Sequence, residues 1–407
     1  MIESSHFEKT RGLLCGLGLL AIAVPSTFGE GLSLRVTDTG VPGVDEFFGA
    51  NFLPDFKGGF YSGMTASTYY DSNLFLDTFN EKAEVYFQLE PWLAYRSDPD
   101  GGATCSMELL YAPIARVFWD EPHLDTWDHA GSASFRYRGG KTDILSYISY
   151  AEVSGPDRLA GGYVSGTVFS YGMRGSYQIA PKTMLVGAWR YAESDYDTPG
   201  RAGTDYFTAD IGFDWTSGRR IGLGAAIQYS NQQSLTIGER ESWALVGNMS
   251  YQVTDRIDLE ASLGIEFAEN SRIGGGSDVG PLGKMKLTYR LSERWRWNAL
   301  IRYRQVPSPG NINYLVNDLL LSTSLTRYLH VGEIEGGVAY SNSQYESVGI
   351  GAPLASDKEQ NLYLFLGYRR PIFSERLDFS TMISYTSNTG LRDWDQLQLS
   401  VGLTAEF

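Results

Sequence analysis

The chain has 407 residues and carries 48 acidic against 33 basic side chains, a formal net charge of −15 at pH 7. That balance opposes nucleic acid and anionic surfaces as partners, and two cysteines, one of them in an apolar leader, exclude a disulfide framework. Hydrophobic residues reach 43%, with 26 Tyr, 20 Phe and 9 Trp. Mean hydropathy is nevertheless slightly negative, as expected for strands that keep one face in water.

Lys9 and Arg11 precede an uncharged run from Gly12 to Val24, and Pro25 to Gly29 offers small residues for cleavage before Glu30. This pattern predicts a signal peptide over residues 1–29. The run is too short for a membrane-spanning helix, which needs roughly 17 to 25 apolar residues. Glu3 and Glu8 depart from the usual positive start, so a late initiation codon or a retained anchor is the alternative. No later stretch is long enough to cross a bilayer as a helix, so any crossing must be made by strands.

Residues 30–58 contain Gly40, Pro42, Gly43, Phe47, Phe48, Phe52, Pro54 and Phe56 with little alternation. They read as a periplasmic extension, a lumen plug or a linker. From Gly59 onward the texture changes. Phe207, Ala209, Ile211, Phe213 and Trp215 alternate with polar residues, and so do Ile257, Leu259, Ala261, Leu263, Ile265 and Phe267. The same parity recurs at Met285 to Leu291, Trp295 to Tyr303, Leu377 to Tyr385 and, without a break, from Leu397 to Phe407. Alternation of this kind marks strands with one apolar and one wet face.

Short turns are expected at Gly139-Gly140, Ala180-Pro181, Ser217-Gly218, Thr254-Asp255, Ser292-Glu293 and His330-Val331. Longer polar segments alternate with them: Asp120 to Ala130, Asp195 to Asp205, Asn231 to Glu241, Glu269 to Gly280, Pro307 to Leu315 and Ser341 to Gln360. Hairpins that alternate short and long connections put all short turns on one rim. The fold class that follows is all-β: a transmembrane antiparallel up-and-down barrel over residues 59–407, of about 18 strands with 16 as the alternative. Trp189, Tyr191, Trp215, Tyr229, Trp243, Tyr251, Tyr289, Trp295, Trp297, Tyr328 and Tyr368 fall near strand ends and suit aromatic girdles.

The first strand ends in Tyr70-Asp71-Ser72-Asn73, which resembles the beta-barrel porin type 2 family of Gram-negative outer-membrane proteins. The terminal strand ending in Phe407 resembles the signal read by the barrel assembly machinery. Together these resemblances imply location in the cell outer membrane, with lipid and lipopolysaccharide outside, and contexts of exopolysaccharide export.

No constellation of residues points to an enzyme, and no cofactor is implied. His123 and His129, with Asp120, Glu121, Asp125 and Asp128, fall in one expected outer loop, where a metal site and a solvated acidic loop are the two readings. Function therefore rests on the lumen. Alternation turns Arg136, Arg138, Arg174 and Arg190 inward on early strands, and Asp258, Glu260 and Glu266 inward on one later strand. Lys284, Lys286 and Arg290, then Arg296, Arg302 and Arg304, occupy the next two, and Glu333 and Glu335 follow. Opposed acidic and basic walls orient polar solutes and tune selectivity, or pair across the ladder and rigidify it. The expected function is passive diffusion of small hydrophilic solutes. An exopolysaccharide pore, with Tyr86, Trp92, Tyr363 and Phe365 stacking on sugars, is the alternative, and a closed structural or surface-binding barrel is the second.

Overall fold

The computed structural model describes residues 59–97, 103–157, 162–197, 203–218, 220–234, 238–270, 276–307, 314–347, 358–372 and 376–407. The expected leader and residues 30–58 lie outside them. Twenty strands form one antiparallel sheet. The first six are β1 (Gly59–Asp71), β2 (Glu84–Arg96), β3 (Cys105–Tyr111), β4 (Ile114–Phe118), β5 (Thr126–Asp128) and β6 (Ala130–Arg138). Next come β7 (Thr142–Asp157), β8 (Gly162–Ala180), β9 (Thr183–Tyr196), β10 (Thr204–Ser217), β11 (Ile221–Ser234), β12 (Gly238–Thr254) and β13 (Ile257–Asn270). The remainder are β14 (Gly276–Ser292), β15 (Trp295–Pro307), β16 (Tyr314–Tyr328), β17 (Glu333–Ser347), β18 (Lys358–Pro371), β19 (Leu377–Gly390) and β20 (Trp394–Glu406).

Two of these strands are halves of their neighbours. β3 and β4 pair with β2 in one unshifted register, Leu93 opposite Tyr111 and Leu89 opposite Ala115. The break falls at Ala112-Pro113, where Pro113 has no N–H to give to the ladder. Ala112 N–H still donates across the gap to Ala130 O at 2.9 Å. β5 and β6 are likewise collinear, interrupted only at His129. The barrel therefore has eighteen staves.

Closure comes from β20 pairing with β1, from Gly63 opposite Glu406 to Asp71 opposite Gln398. Phe407 N–H donates to Ser62 O at 2.8 Å and Ser72 N–H to Leu397 O at 2.9 Å, extending the seam at both ends. With no free edge, every stave satisfies its backbone within the sheet, as a bilayer requires.

The turns stand where the sequence puts them, and all lie on the rim that carries Gly59 and Phe407, here the terminal rim. On the far rim the strands outrun the expected loops. β11 reaches Ser234 and β12 starts at Gly238, and β17 runs to Ser347 within the segment read as Ser341 to Gln360, with β18 starting at Lys358. Both faces of these extensions are polar, so no alternation announces them, yet backbone pairing needs no apolar face. The Asp120 to Ala130 segment is corrected most: it holds a short 3-10 helix at Pro122–Leu124, then β5, and β6 begins at Ala130.

Exposure alternates with sequence parity. Leu397, Leu399, Val401 and Leu403 are exposed on the outer face while Gln396 and Thr404 are buried on the inner one. Outward aromatics gather in two belts. Tyr171 lies 5.6 Å from Trp189 and 5.3 Å from Tyr191, and Tyr229 lies 4.8 Å from Trp243, in the far belt. Trp215, Tyr251, Tyr289, Trp295, Trp297 and Tyr368 make the terminal belt. Tyr328 does not belong to it: its parity is inward, opposite Glu333, with the Arg296 guanidinium 5.5 Å from its ring centre.

Candidate functional site: the lumen wall

The inner wall is a charged surface laid out by register. On β6 to β9, Arg136 Nε donates to Asp143 Oδ1 at 2.8 Å, and Arg138 lies 3.7 Å from the same carboxylate. Arg174 is opposite Leu145 and Ala188, and Arg190 is opposite Gly172 and Thr208. Gly172 is required there, because a Cβ would stand 2.5 Å from the Trp189 carbonyl oxygen, with the Tyr147 hydroxyl a further 2.8 Å contact.

The acidic row of β13 meets Arg240 of β12 on one side and the basic row of β14 on the other. Asp258 accepts from Arg290 Nη2 at 2.6 Å, Glu260 is opposite Lys286, and Glu266 takes Arg240 Nη1 at 3.2 Å. Further round, like charges face each other: Lys284 is opposite Arg302, and Arg290 is opposite Arg296. Directly opposed like charges destabilise a ladder, and the wall offsets part of this with Asp318, 3.7 Å from Arg302 and 3.9 Å from Arg304. Glu333 is opposite Arg369, which is paired with Asp378, and Glu335 is opposite Thr326. Register thus turns all fifteen charged residues singled out in the sequence toward the lumen, in a patchwork rather than two segregated walls.

Several lumen groups escaped the sequence reading. Arg116 on β4 donates to Gln88 at 2.9 Å and to Asp128 at 2.5 Å, and Asp128 also accepts from Ser154 at 2.6 Å. The Pro113 break hid that strand. Asp318 stands on β16, where its inward parity was the available signal, whereas alternation had already placed Asp210 and Asp214 of β10 on the lumen face. Near the far rim, Glu359 is wholly buried and accepts from Tyr345 at 2.7 Å, Asn388 at 2.6 Å and Arg392 at 3.0 Å.

The Asp71-Ser72-Asn73 stretch lies at the seam. Asp71, fully buried, accepts Gln396 Nε2 at 2.8 Å, Gln398 Nε2 at 2.9 Å and the Asn73 N–H at 2.9 Å. Asn73 Nδ2 donates to Asp395 O at 3.0 Å, and Ser72 Oγ accepts the Leu397 N–H at 2.8 Å. The stretch fastens the first stave to the last. The two loop histidines are held apart: His123 Nδ1 is 2.9 Å from Glu121, whereas His129 Nδ1 is 2.7 Å from the Tyr111 hydroxyl at the β5–β6 break.

Inward aromatics are packed rather than presented. Tyr69 and Tyr86 stack at 4.8 Å, and Tyr86 lies 5.0 Å from Phe118. Across the lumen wall Tyr363 stacks with Phe365 at 5.7 Å, in a cluster with Leu300, Leu320 and Ala339.

No protein-family profile and no curated protein matches the sequence. Solved structures do match. Pseudomonas aeruginosa OccK2 (OpdF) aligns with a TM-score of 0.50 at 12% identity, over 86% of this chain and 98% of that one. Its complex with glucuronate aligns with a TM-score of 0.50 at 11% identity, over 86% and 96%. The outer membrane protein OpdK of the same organism aligns at 0.49 and 13% identity, over 86% and 99%. The chain has the outer-membrane porin fold. It is a transmembrane β-barrel of the outer-membrane type, and the resemblance carried by Asp71 to Asn73 holds at that level of a porin-like barrel.

Proposed function

We propose that the protein is a passive outer-membrane channel for small hydrophilic solutes, and that the fifteen charged lumen residues line its path. The observation that carries this reading is the closed eighteen-stave wall, apolar toward lipid and charged toward the lumen. Barrels of sixteen to eighteen strands leave an aqueous channel, and rings of charge set which ions pass. The basic rows on β14 and β15 suit anionic solutes, and OccK2, a structural neighbour, has been crystallised with glucuronate, a sugar acid. No enzymatic role is proposed.

Polysaccharide export is less well supported. It requires aromatic faces free to stack on sugar rings, yet Tyr86 and Tyr363 are only 7% and 5% exposed and are already stacked on protein. Single-channel recording in planar bilayers tests the proposal, with reversal potentials under a salt gradient reading selectivity. Discrete, anion-preferring openings are expected; a folded, inserted protein that never conducts refutes it.

A further inference from the structure

The outer wall is not smooth at the far belt. Parity turns Asp205, Phe207, Ala209 and Ile211 of β10 outward, opposite Gln233, Asn231, Tyr229 and Ile227 of β11. Ala209 stands between Trp189 and Tyr229, a single methyl group flanked by two large rings, so the wall is hollowed there. Two recesses of about 380 Å³ each meet at Tyr229. The lower is lined by Ala209, Ile211, Ile227, Tyr229 and Trp243, and the upper by Tyr191, Asp205, Phe207, Tyr229, Asn231 and Gln233.

The two ends of this groove differ in chemistry. Ile211, Ile227 and Trp243 are 58%, 51% and 55% exposed, so the lower end is open apolar surface. The upper end is rich in acceptors. Asn231 Nδ2 donates to Glu239 at 2.7 Å and Gln233 Nε2 to the same carboxylate at 3.4 Å, and the Tyr191 hydroxyl is hydrogen-bonded to Asp205. With both amide nitrogens spent, the oxygens of Asn231 and Gln233 and the remaining lone pairs of Asp205 are left to accept.

We propose that this groove seats a glycolipid of the outer leaflet, with one acyl chain over Ala209 between Ile211, Ile227 and Trp243 and a sugar ring against Asp205, Asn231 and Gln233. The orientation follows the bilayer. Short turns mark the terminal rim as periplasmic, so the far belt meets the outer leaflet, its apolar end toward the hydrocarbon and its polar end at the headgroups. Sugar hydroxyls and amide N–H groups are the donors that the upper end lacks. A bare phosphodiester brings acceptors only, and an ammonium is satisfied by Asp205 alone. The three acceptors span two strands about 4.8 Å apart and a two-residue step of about 7 Å from Gln233 to Asn231, the breadth of a ring rather than of a point charge. The groove lies on the lipid side of the wall, so this inference is independent of what the lumen passes.

Native mass spectrometry of the full chain in detergent tests it, with deep-rough lipopolysaccharide, phosphatidylethanolamine or phosphatidylglycerol added in a buffer containing Mg²⁺. The cation screens Glu193, Glu239 and Glu241 from the phosphates of the first lipid. Retention of lipopolysaccharide above either phospholipid is expected. Ala209→Trp, which fills the hollow, and Asn231→Leu/Gln233→Leu, which removes two acceptors, should each lower that retention about tenfold. Leu366→Trp, on the outer face of β18 and 53% exposed in the wild type, should leave it unchanged. Heat-modifiable gel mobility identifies the variants that are folded, and either groove variant alone suffices for the decision. Undiminished retention in a folded groove variant, an equal fall in Leu366→Trp, or preferential capture of phosphatidylethanolamine overturns the proposal.

Discussion

Substituting Val401 by arginine tests the facing of the whole wall. β20 spans thirteen residues from Trp394 to Glu406. At about 3.4 Å per residue and a tilt near 40° it rises about 31 Å, and Val401 stands about 18 Å from its far end and 13 Å from its terminal end. That is close to the middle of an apolar band about 25 Å tall. Val401 is 44% exposed on the outer face, opposite Thr68 and Thr381, so an arginine there has no water within a side-chain length. The expected cost is about 2 to 4 kcal/mol of folding free energy in lipid. Ser400, one residue back, points inward between Tyr69 and Met382. An arginine there reaches lumen water, and Ser400→Arg should cost less than half as much. Reversible urea titration in lipid vesicles, followed by tryptophan fluorescence and gel mobility, reads both values. Equal costs at 400 and 401 would refute the assigned parity of β20 and with it the lipid-facing wall.

Asp71→Ala should leave three buried donors, Gln396, Gln398 and the Asn73 N–H, without their acceptor. Hydrogen bonds to a charged group contribute about 1.5 to 3 kcal/mol each; with partial relaxation the loss should be about 3 kcal/mol, read as a lower urea midpoint, and an unchanged midpoint removes Asp71 from the seam. Gly63→Ala should impair folding strongly, since a Cβ there collides with the Trp92 ring and the Ala405 carbonyl, whereas Gly140→Ala meets nothing within 4 Å and should be neutral in the same titration. Similar behaviour of the two would contradict the packing of β1 on β20. Lys284→Gln with Arg302→Gln removes two opposed lumen cations. It should move the reversal potential toward cation preference, and a selectivity unaltered by the pair would detach that patch from the conduction path.

What could be read in the chain follows the bilayer. Inside the apolar band one face of each strand must be apolar, so parity is visible residue by residue, from Phe207 to Trp215 as from Leu397 to Phe407. Above the band both faces are wet, and the same hydrogen-bonded ladder continues through Asn231 to Ser234 or Ser341 to Ser347 with nothing in composition to mark it. Local irregularity hides strands in another way: Pro113 removes one donor and splits a stave whose register is otherwise continuous, so Arg116 went unplaced and Asp128 read as loop. Which charges meet is less legible still. Parity turned Lys284 and Arg302 inward, but only register shows them directly opposed, with Asp318 as the nearby counterion. Distant closure is invisible to any local pattern. The Asp71 carboxylate and the Gln396 amide are 325 residues apart and 2.8 Å from each other. The Asp71 to Asn73 stretch that carries the resemblance is a buried carboxylate with three donors fixed around it. The residues that carry the resemblance thus act at the seam, while the inward charges were legible only as one sign of charge or the other.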